Sequence, residues 1–403
     1  MSKVIWILNQ TAGKPDSGWG ERHYYFSRHW VKKGYKVTII SGSYNHLFKN
    51  QPITENKIFT LEEVEDGITF CWVKIPKYKG DSAFKLWSML VFAFKTFFLT
   101  TEILEKPSII IVSSMPIFPI ISGWVLKKRY RAKKLLFEIR DLWPLTPIYL
   151  KGYSKWHPIV IIMSWFEKFG YRKADTIISL LPNAHTYINQ LSNEPSKFKC
   201  IPNGIDEALL VNEPLTKEII DKIPKSKFVI GYTGTMGLAN ALEYFVEAST
   251  LLMDNDKIHF VLVGDGYLKK ELVEKTFGQN NITFIPKINK NQVQQILSYF
   301  DVCFIGRNDI PLFDYGVSSN KYFDYMLAKK PVLVSSNRIK DPVELSDCGI
   351  TVKPESAETI KDGILQLFQL SKEEMDKFSE NGYNYVKKYH NFNFLSEAYL
   401  KLF

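Results

Sequence analysis

The sequence predicts an α/β chain made of two parallel-sheet domains in tandem. Three observations carry that prediction. At 403 residues the chain exceeds one ordinary compact core. Short Val/Ile-rich runs alternate with helical stretches, the pattern of strands covered on both faces. The alternation then stops at a polar segment and starts again from Lys227.

In the first half the strand-like runs are KVIWILN, YKVTIISG, ITFCWVKI, SIIIVSS, KLLFEIRD and DTIISLL, with a glycine-containing loop and a helix over Glu21 to Lys33 after the first. In the second they are KFVIGYTG, IHFVLVGDG, ITFIPK, DVCFIGR, KPVLVSS and GITVKP, again interleaved with helical segments. Each half therefore reads as Rossmann-like. The joint is expected in the polar stretch from about Asn203 to Lys227, which contains Pro214 and Pro224, giving domains at 1–203 and 204–383. A ligand is expected between the halves, beside residues that follow the carboxyl ends of strands.

Composition narrows the class. Apolar residues make up 45% and charged residues 23%, as in a folded globular protein without a disordered tract. The four cysteines, Cys71, Cys200, Cys303 and Cys348, form no CxxC pair, which argues against a disulfide framework or a zinc site. The start, MSKVIWILNQ, reads as a strand rather than a signal peptide, and no uncharged apolar run reaches the roughly 18 residues of a membrane span. A cytoplasmic protein is the expectation. Residues 1–200 hold 29 Lys+Arg against 15 Asp+Glu, leaving 23 against 27 for the remainder. The basic half can draw nucleic acid, an anionic membrane or an anionic substrate, and charge alone does not choose among them.

Two motifs fail on context. Gly18-Trp-Gly20 follows the first strand, but position 23 is His where a dinucleotide site needs a third glycine, and the next strand ends Ser41-Gly42-Ser43 without an acid. Asp254-Asn-Asp256 looks like a metal-chelating DxD, yet it lies between a helix and the following strand. That is the wrong edge of the sheet for chemistry.

Four strand-end motifs in the second half converge instead. Gly231-Tyr-Thr-Gly234-Thr235-Met-Gly237-Leu precedes a helix expected over Ala239 to Met253, so free N–H groups and the helix dipole can hold phosphate. Gly264-Asp265-Gly266 follows the next strand and is expected to let a ligand ring approach the main chain. Pro286-Lys287 ends another strand and is expected to line the same cleft. The fourth is GVSSNKYFDYMLAKKP, Gly316 to Pro331, preceded by Gly306-Arg307-Asn308-Asp309. Lys321 with the Ser318 and Ser319 hydroxyls suits a diphosphate, and Asp324 suits a pair of ribose hydroxyls.

The order of these motifs resembles the GT-B retaining glycosyltransferases of family 4, most of all the branch that builds bacterial O-antigens and capsules, with L-N-acetylfucosamine transferases among its relatives. The residues carrying the resemblance are Gly18-Trp-Gly-Glu-Arg-His, Glu138-Ile-Arg-Asp-Leu-Trp-Pro144, Ile201-Pro-Asn-Gly-Ile-Asp206, Gly231 to Leu238, Val263-Gly-Asp-Gly266 and Ser319-Asn-Lys-Tyr-Phe-Asp-Tyr-Met326. They cover nearly the whole chain. The resemblance implies two Rossmann-like domains facing each other across a cleft, the first binding the acceptor and the second the nucleotide-sugar, with a C-terminal helix at about 384–403 returning to the first. It implies transfer of an N-acetylated or deoxy hexose from a nucleotide-sugar, UDP before GDP, to a polyprenyl-diphosphate-linked glycan, with retention and without a metal or other cofactor.

Carried over residue by residue, the resemblance puts Gly18, Gly20, Gly234, Thr235, Gly237, Gly264, Asp265, Gly266, Lys287, Ser319, Lys321 and Asp324 at the donor. Lys321 and Arg307 neutralise the leaving diphosphate, and Asp141 past the strand KLLFEI is the catalytic candidate of the first half. Glu21, Arg22, His23 and Arg140 are assigned to the acceptor, and Glu138 sits inside its strand. The family's E-x7-E pair departs here, with Asp324 at the second position and Gly316 at the first. Many members also carry Arg and Lys near the glycine loop, where this chain has Thr235 and Asn240.

The apolar runs Phe84 to Leu104 and Trp156 to Phe169, with the basic stretch Lys127 to Lys134, suggest a protein lying on an anionic membrane, at the inner face of the plasma membrane. No nucleic acid is expected as a partner. A UDP-sugar 2-epimerase and a catalytically weak membrane-associated scaffold stand as the alternative functions.

Overall fold

The computed structural model describes residues 3–54, 57–80, 83–192, 194–205, 213–337 and 341–403. Residues 206–212, within the expected joint and including Asp206, lie outside them. The chain divides into two compact units, Met1–Asn203 with Phe392–Phe403, and Gly204–Asn391.

The first unit holds β1 (Val4–Leu8), β2 (Lys36–Gly42), β3 (Phe59–Glu65), β4 (Ile68–Val73), β5 (Ile109–Ser113), β6 (Lys134–Ile139), β7 (Thr176–Ser179) and β8 (Phe198–Cys200). Its helices are α1 (Arg22–Lys32), α2 (Ala83–Thr96), α3 (Ile120–Tyr130), α4 (Leu145–Lys151), α5 (Pro158–Lys173) and α6 (His185–Ser192). The strands form one sheet in the order β3-β4-β2-β1-β5-β6-β7-β8. Every residue of β1, β5 and β7 is buried, which is why they read as unbroken apolar runs. The exception is β3, FTLEEVE, which pairs antiparallel with β4 at the sheet edge. Its acidic residues hid it from the strand pattern, and the same charges protect an exposed edge.

The second unit holds β9 (Phe228–Thr233), β10 (Ile258–Val263), β11 (Ile282–Ile285), β12 (Val302–Gly306), β13 (Val332–Ser335) and β14 (Gly349–Val352). α7 (Lys217–Ile220) precedes them, and between and after them lie α8 (Leu242–Leu251), α9 (Lys269–Lys275), α10 (Val293–Ser298), α11 (Asn320–Leu327), α12 (Pro342–Ser346), α13 (Ala357–Gln369) and α14 (Lys372–Tyr389). The six strands run parallel in the order β11-β10-β9-β12-β13-β14. Successive residues feed opposite cores. Val229 packs with Tyr322 and Phe323 on one face, while Ile230 packs with Phe245 and Phe304 on the other. The order reverses between β9 and β12, and in such a sheet a crevice opens outside the carboxyl ends of those two strands.

The tail divides later than the expected 384, at Phe392. α14 stays with the second unit, and only α15 (Phe392–Leu400) belongs to the first. There Phe392 and Tyr399 pack on Phe26 of α1, and Tyr399 also meets Trp30. Each such buried aromatic contributes about 1.5–3 kcal/mol relative to exposure.

Candidate functional site

In the second unit the chain leaves β9 into a glycine loop, makes a short 3-10 turn over Leu238–Asn240, and enters α8 only at Leu242. The helix therefore starts three residues later than the sequence suggested. Tyr232 closes the loop, its hydroxyl donating to the Thr235 carbonyl at 2.7 Å. The loop after β10 zips onto it: Gly234 N–H donates to Val263 O (2.9 Å) and Met236 N–H to Asp265 O (2.9 Å). A Cβ on Gly264 would lie 1.9 Å from Gly234 O, and one on Gly266 2.2 Å from Met236 O. Gly264 and Gly266 thus admit the neighbouring backbone rather than a ligand ring, because the first loop already occupies that space. The N–H groups of Thr235 and Gly237 have no acceptor among the described residues, and these two remain for an anion. Thr235 is exposed and Gly237 buried.

α11 explains why Lys321 and Asp324 share a face. Tyr322, Phe323, Tyr325 and Met326 are buried, and the Tyr325 hydroxyl accepts from Thr233 N–H at 2.9 Å, tying the helix to the end of β9. Lys321 and Asp324 then stand on the partly exposed side. Lys321 Nζ donates to Asn240 Oδ1 at 2.5 Å and lies 5.1 Å from the Tyr232 ring centroid. Asn240 in turn donates to Thr235 O at 2.9 Å. Asn240 therefore aims the lysine at the glycine loop, a positioning role its residue type alone did not disclose. No hydrogen bond or ion pair engages the Asp324 carboxylate among the described residues. The Ser319 side chain makes no capping bond to α11, leaving its hydroxyl open to a ligand.

Surrounding protein, with Arg307 adding to it and Asp324 opposing, lowers the Lys321 ammonium to about 7. The same crowding raises the Asp324 carboxyl to about 6, against Lys290 and Lys321. Both groups keep partial contact with water, which softens these shifts without changing their direction. An incoming diphosphate beside Lys321 would restore its proton.

Arg307, past β12, is buried and donates from Nη2 to the Tyr322 hydroxyl (2.6 Å), which donates to Asp341 Oδ2 (2.6 Å). Its Nη1 is buried without a partner among the described residues. Lys287 is exposed beyond β11 and carries no hydrogen bond or ion pair among the described residues. Asp265 is exposed, its Oδ1 accepting from Gly266 N–H at 2.9 Å. Gly316 follows the turn Pro311–Tyr315 at φ 90°, ψ −175°, a backbone state that side chains other than hydrogen strain. The missing first glutamate of E-x7-E thus coincides with a backbone that suits glycine. Asp254 and Asp256 flank a turn ahead of β10 in which Asn255 Oδ1 accepts from Lys257 N–H at 3.1 Å.

The first unit treats its candidates differently. Glu138 on β6 is wholly buried, and five hydrogen bonds converge on it. Oε1 accepts from Ser113 (2.8 Å) and His23 Nε2 (3.0 Å). Oε2 accepts from Arg22 Nε (3.3 Å) and Nη2 (3.2 Å) and from the Tyr399 hydroxyl (3.1 Å). Burial opposes its ionisation, but Arg22, His23 and Arg140 hold the carboxyl well below the usual range. Burial keeps His23 neutral in spite of Glu138, so Nε2 carries the proton and Nδ1 accepts from Asn9 at 3.1 Å. Arg22 also donates to Ile201 O (2.8 Å), Pro202 O (2.6 Å) and Asn203 Oδ1 (3.2 Å).

Arg22 and His23, expected at the acceptor, are thus spent inside the unit, because a carboxylate buried in an apolar strand needs several donors. Glu21 is buried as well, with Tyr25 donating to it at 3.2 Å. Gly18 and Gly20 lie in the loop after β1, where Gly20 O accepts from Gly13 N–H at 3.1 Å. Arg140 is half-buried, and Asp141 is exposed at the carboxyl end of β6. α4 begins after Pro144, so Asp141 is not its N-cap. Its carboxylate accepts no hydrogen bond among the described residues.

Residues 18–209 match the family model for Glycosyltransferase Family 4, and residues 227–369 that for Glycosyl transferases group 1. No curated protein matches the chain in sequence. Sucrose-phosphate synthase from Thermosynechococcus elongatus superposes with TM-score 0.75 at 16% identity, over 99% of this chain and 98% of the other. HepE of Anabaena, solved in complex with UDP and glucose, gives 0.66 at 14% over the same shares. A structure from E. coli described as trehalose-6-phosphate bound with UDP-2-fluoro glucose gives 0.71 at 11%, again over 99% and 98%. At these identities the structures speak for the fold, and the two family models speak for the sequence of each unit. The chain is a glycosyltransferase of the GT-B type.

Proposed function

We propose that this enzyme transfers a sugar from a UDP-sugar to a lipid-linked glycan, with retention of anomeric configuration, at the inner face of a bacterial plasma membrane in O-antigen or capsule synthesis. The observation that carries the donor half is the pairing on α11. Lys321 is aimed by Asn240 at the N–H groups of Thr235 and Gly237, which with the Asp324 carboxylate three residues on have no partner among the described residues. A diphosphate fits the cation and the N–H groups, and a ribose fits the carboxylate. HepE, a relative in fold, was solved with UDP and glucose, which favours UDP.

Departure of the diphosphate builds negative charge where Lys321 and the N–H groups stand, so the transition state is held more tightly than the ground state. Arg307 keeps one buried nitrogen, Nη1, without a partner among the described residues, and it is proposed to serve the same charge. Because a lysine supplies that countercharge, the reaction is proposed to run without a metal, and chelator should leave its rate unchanged. Asp141, exposed and without a hydrogen bond among the described residues, is proposed to orient the acceptor hydroxyl.

The test is incubation of the purified protein with a panel of UDP- and GDP-sugars and a synthetic polyprenyl-diphosphate sugar. Acceptor-dependent release of UDP is the expected result. Isomerisation of the sugar without acceptor would replace the proposal with an epimerase, and failure to bind any nucleotide-sugar would leave only a scaffold.

A further inference from the structure

α2 is apolar on both sides. Ser88, Met89, Phe92 and Ala93 face the core, yet Phe84, Trp87 and Phe94, at the helical spacing of a second face, are 68%, 57% and 64% exposed. Phe98, in the turn that follows, stacks edge-on against Phe94. A helix apolar all round is ordinarily buried, so this outer face is unpartnered. α3 packs against both α2 and α5, making one layer of three helices. On α5 the exposed apolar residues are Ile161, Ile162 and Trp165, with Trp165 stacked on Phe169 and Phe169 against Trp124 of α3.

The charge of this layer selects its occupant. α2 carries two basic residues, α3 three and α5 three. The three helices contain one acid, Glu167, and it is buried and held by Tyr171 and Tyr187. Two copies of such a face would repel each other. An anionic bilayer offers acyl chains to the aromatics and phosphates to the lysines and arginines.

We infer that the outer face of the α2–α3–α5 layer lies in the headgroup region of an anionic membrane. This deepens the proposed lipid-linked acceptor and rests on that reading for its purpose. Trp87 near the start of α2, and Trp156 ahead of α5, stand at the ends of helices that enter from the carboxyl edge of the sheet, the edge that carries Asp141. A lipid-anchored glycan held at the membrane therefore reaches that edge from the side.

The experiment is sedimentation of the full chain with vesicles of phosphatidylglycerol mixed with phosphatidylcholine, and with phosphatidylcholine alone. Binding is expected to the anionic vesicles and to weaken with salt. Trp87→Ser with Phe94→Ser should lower the partition about tenfold or more, and Lys128→Ser with Arg129→Ser about fivefold per charge, with the unfolding midpoints of both variants unchanged. Equal binding by parent and aromatic variant would overturn the inference. So would absence of binding by the parent, or a lipid-free dimer that the aromatic variant dissolves. Vesicle binding is read without donor or acceptor, so its failure leaves the proposed transfer reaction standing. A silent transfer assay equally leaves vesicle binding intact.

Discussion

The two units each gather charged side chains at the carboxyl ends of their strands, and they use them in opposite ways. Around Glu138 every oxygen is satisfied from within: Arg22, His23, Ser113 and Tyr399 fill it, and water is shut out. Around Lys321 and Asp324 the described residues supply one positioning bond, from Lys321 to Asn240, and leave the carboxylate, two N–H groups and the Ser319 hydroxyl without partners. A motif at a strand end is therefore not evidence of a ligand until its polar atoms are accounted for. The first cluster is saturated and holds the unit together. The second is unsaturated and partly wet, so a ligand can complete it.

The sharpest way to break this contrast is to remove both centres and measure stability and binding together. Glu138→Ala leaves Arg22 buried without its counter-ion, and urea unfolding should show a loss of about 3–5 kcal/mol. Stability within error of the parent would show that the cluster is not a structural lock. Lys321→Met should do the reverse, lowering affinity for UDP by calorimetry about tenfold to a hundredfold while leaving urea stability at pH 6 no lower than the parent's. Asp324→Ala should weaken UDP by about 1–3 kcal/mol, again in a fully folded protein.

Gly316→Glu probes the backbone beside the second cluster. Restoring the glutamate of E-x7-E places a side chain at φ 90°, ψ −175° and should cost about 1–3 kcal/mol of stability. A variant as stable as the parent, with altered preference among UDP-sugars, would show that the loop relaxes and that glycine is a choice of specificity rather than geometry.

The smallest effect is in pH. Lys321 in the free protein loses its charge as pH rises through about 7, so affinity for the UDP-sugar chosen by the donor panel should fall above 7, by up to tenfold per unit. Asp324 loses its charge as pH falls through about 6, so affinity should also fall below 6. Lys321→Arg should flatten the alkaline limb alone. For stability the sign follows from the folded value lying below the ordinary 10.5. The folded state binds fewer protons than the unfolded one, so the cost of burying Lys321 is full below about 7 and fades as pH rises toward 10.5. A flat affinity profile from about one unit below the Asp324 value to about two units above the Lys321 value would show that neither residue meets the donor.

Much of the fold was legible in the sequence because parallel strands buried on both faces have a pattern that survives without knowledge of their neighbours. KVIWILN, KFVIGYTG and IHFVLVGDG each became a strand, and the restart at Lys227 marks the second sheet. β3 escaped because an edge strand with three glutamates satisfies solvent on one side and has no apolar run to show. The Lys321 and Asp324 pairing was also readable, since i and i+3 on one helix is local geometry. The sequence by itself thus determined the two sheets, the glycine loop and the shared face of α11. Only the tertiary structure decided that Gly264 and Gly266 make room for backbone, that Asn240 aims Lys321, and that Arg22 and His23 serve Glu138. Those outcomes depend on which atoms from distant segments reach each polar group first, and hydrogen-bond saturation is a property of the assembled neighbourhood rather than of any stretch of chain.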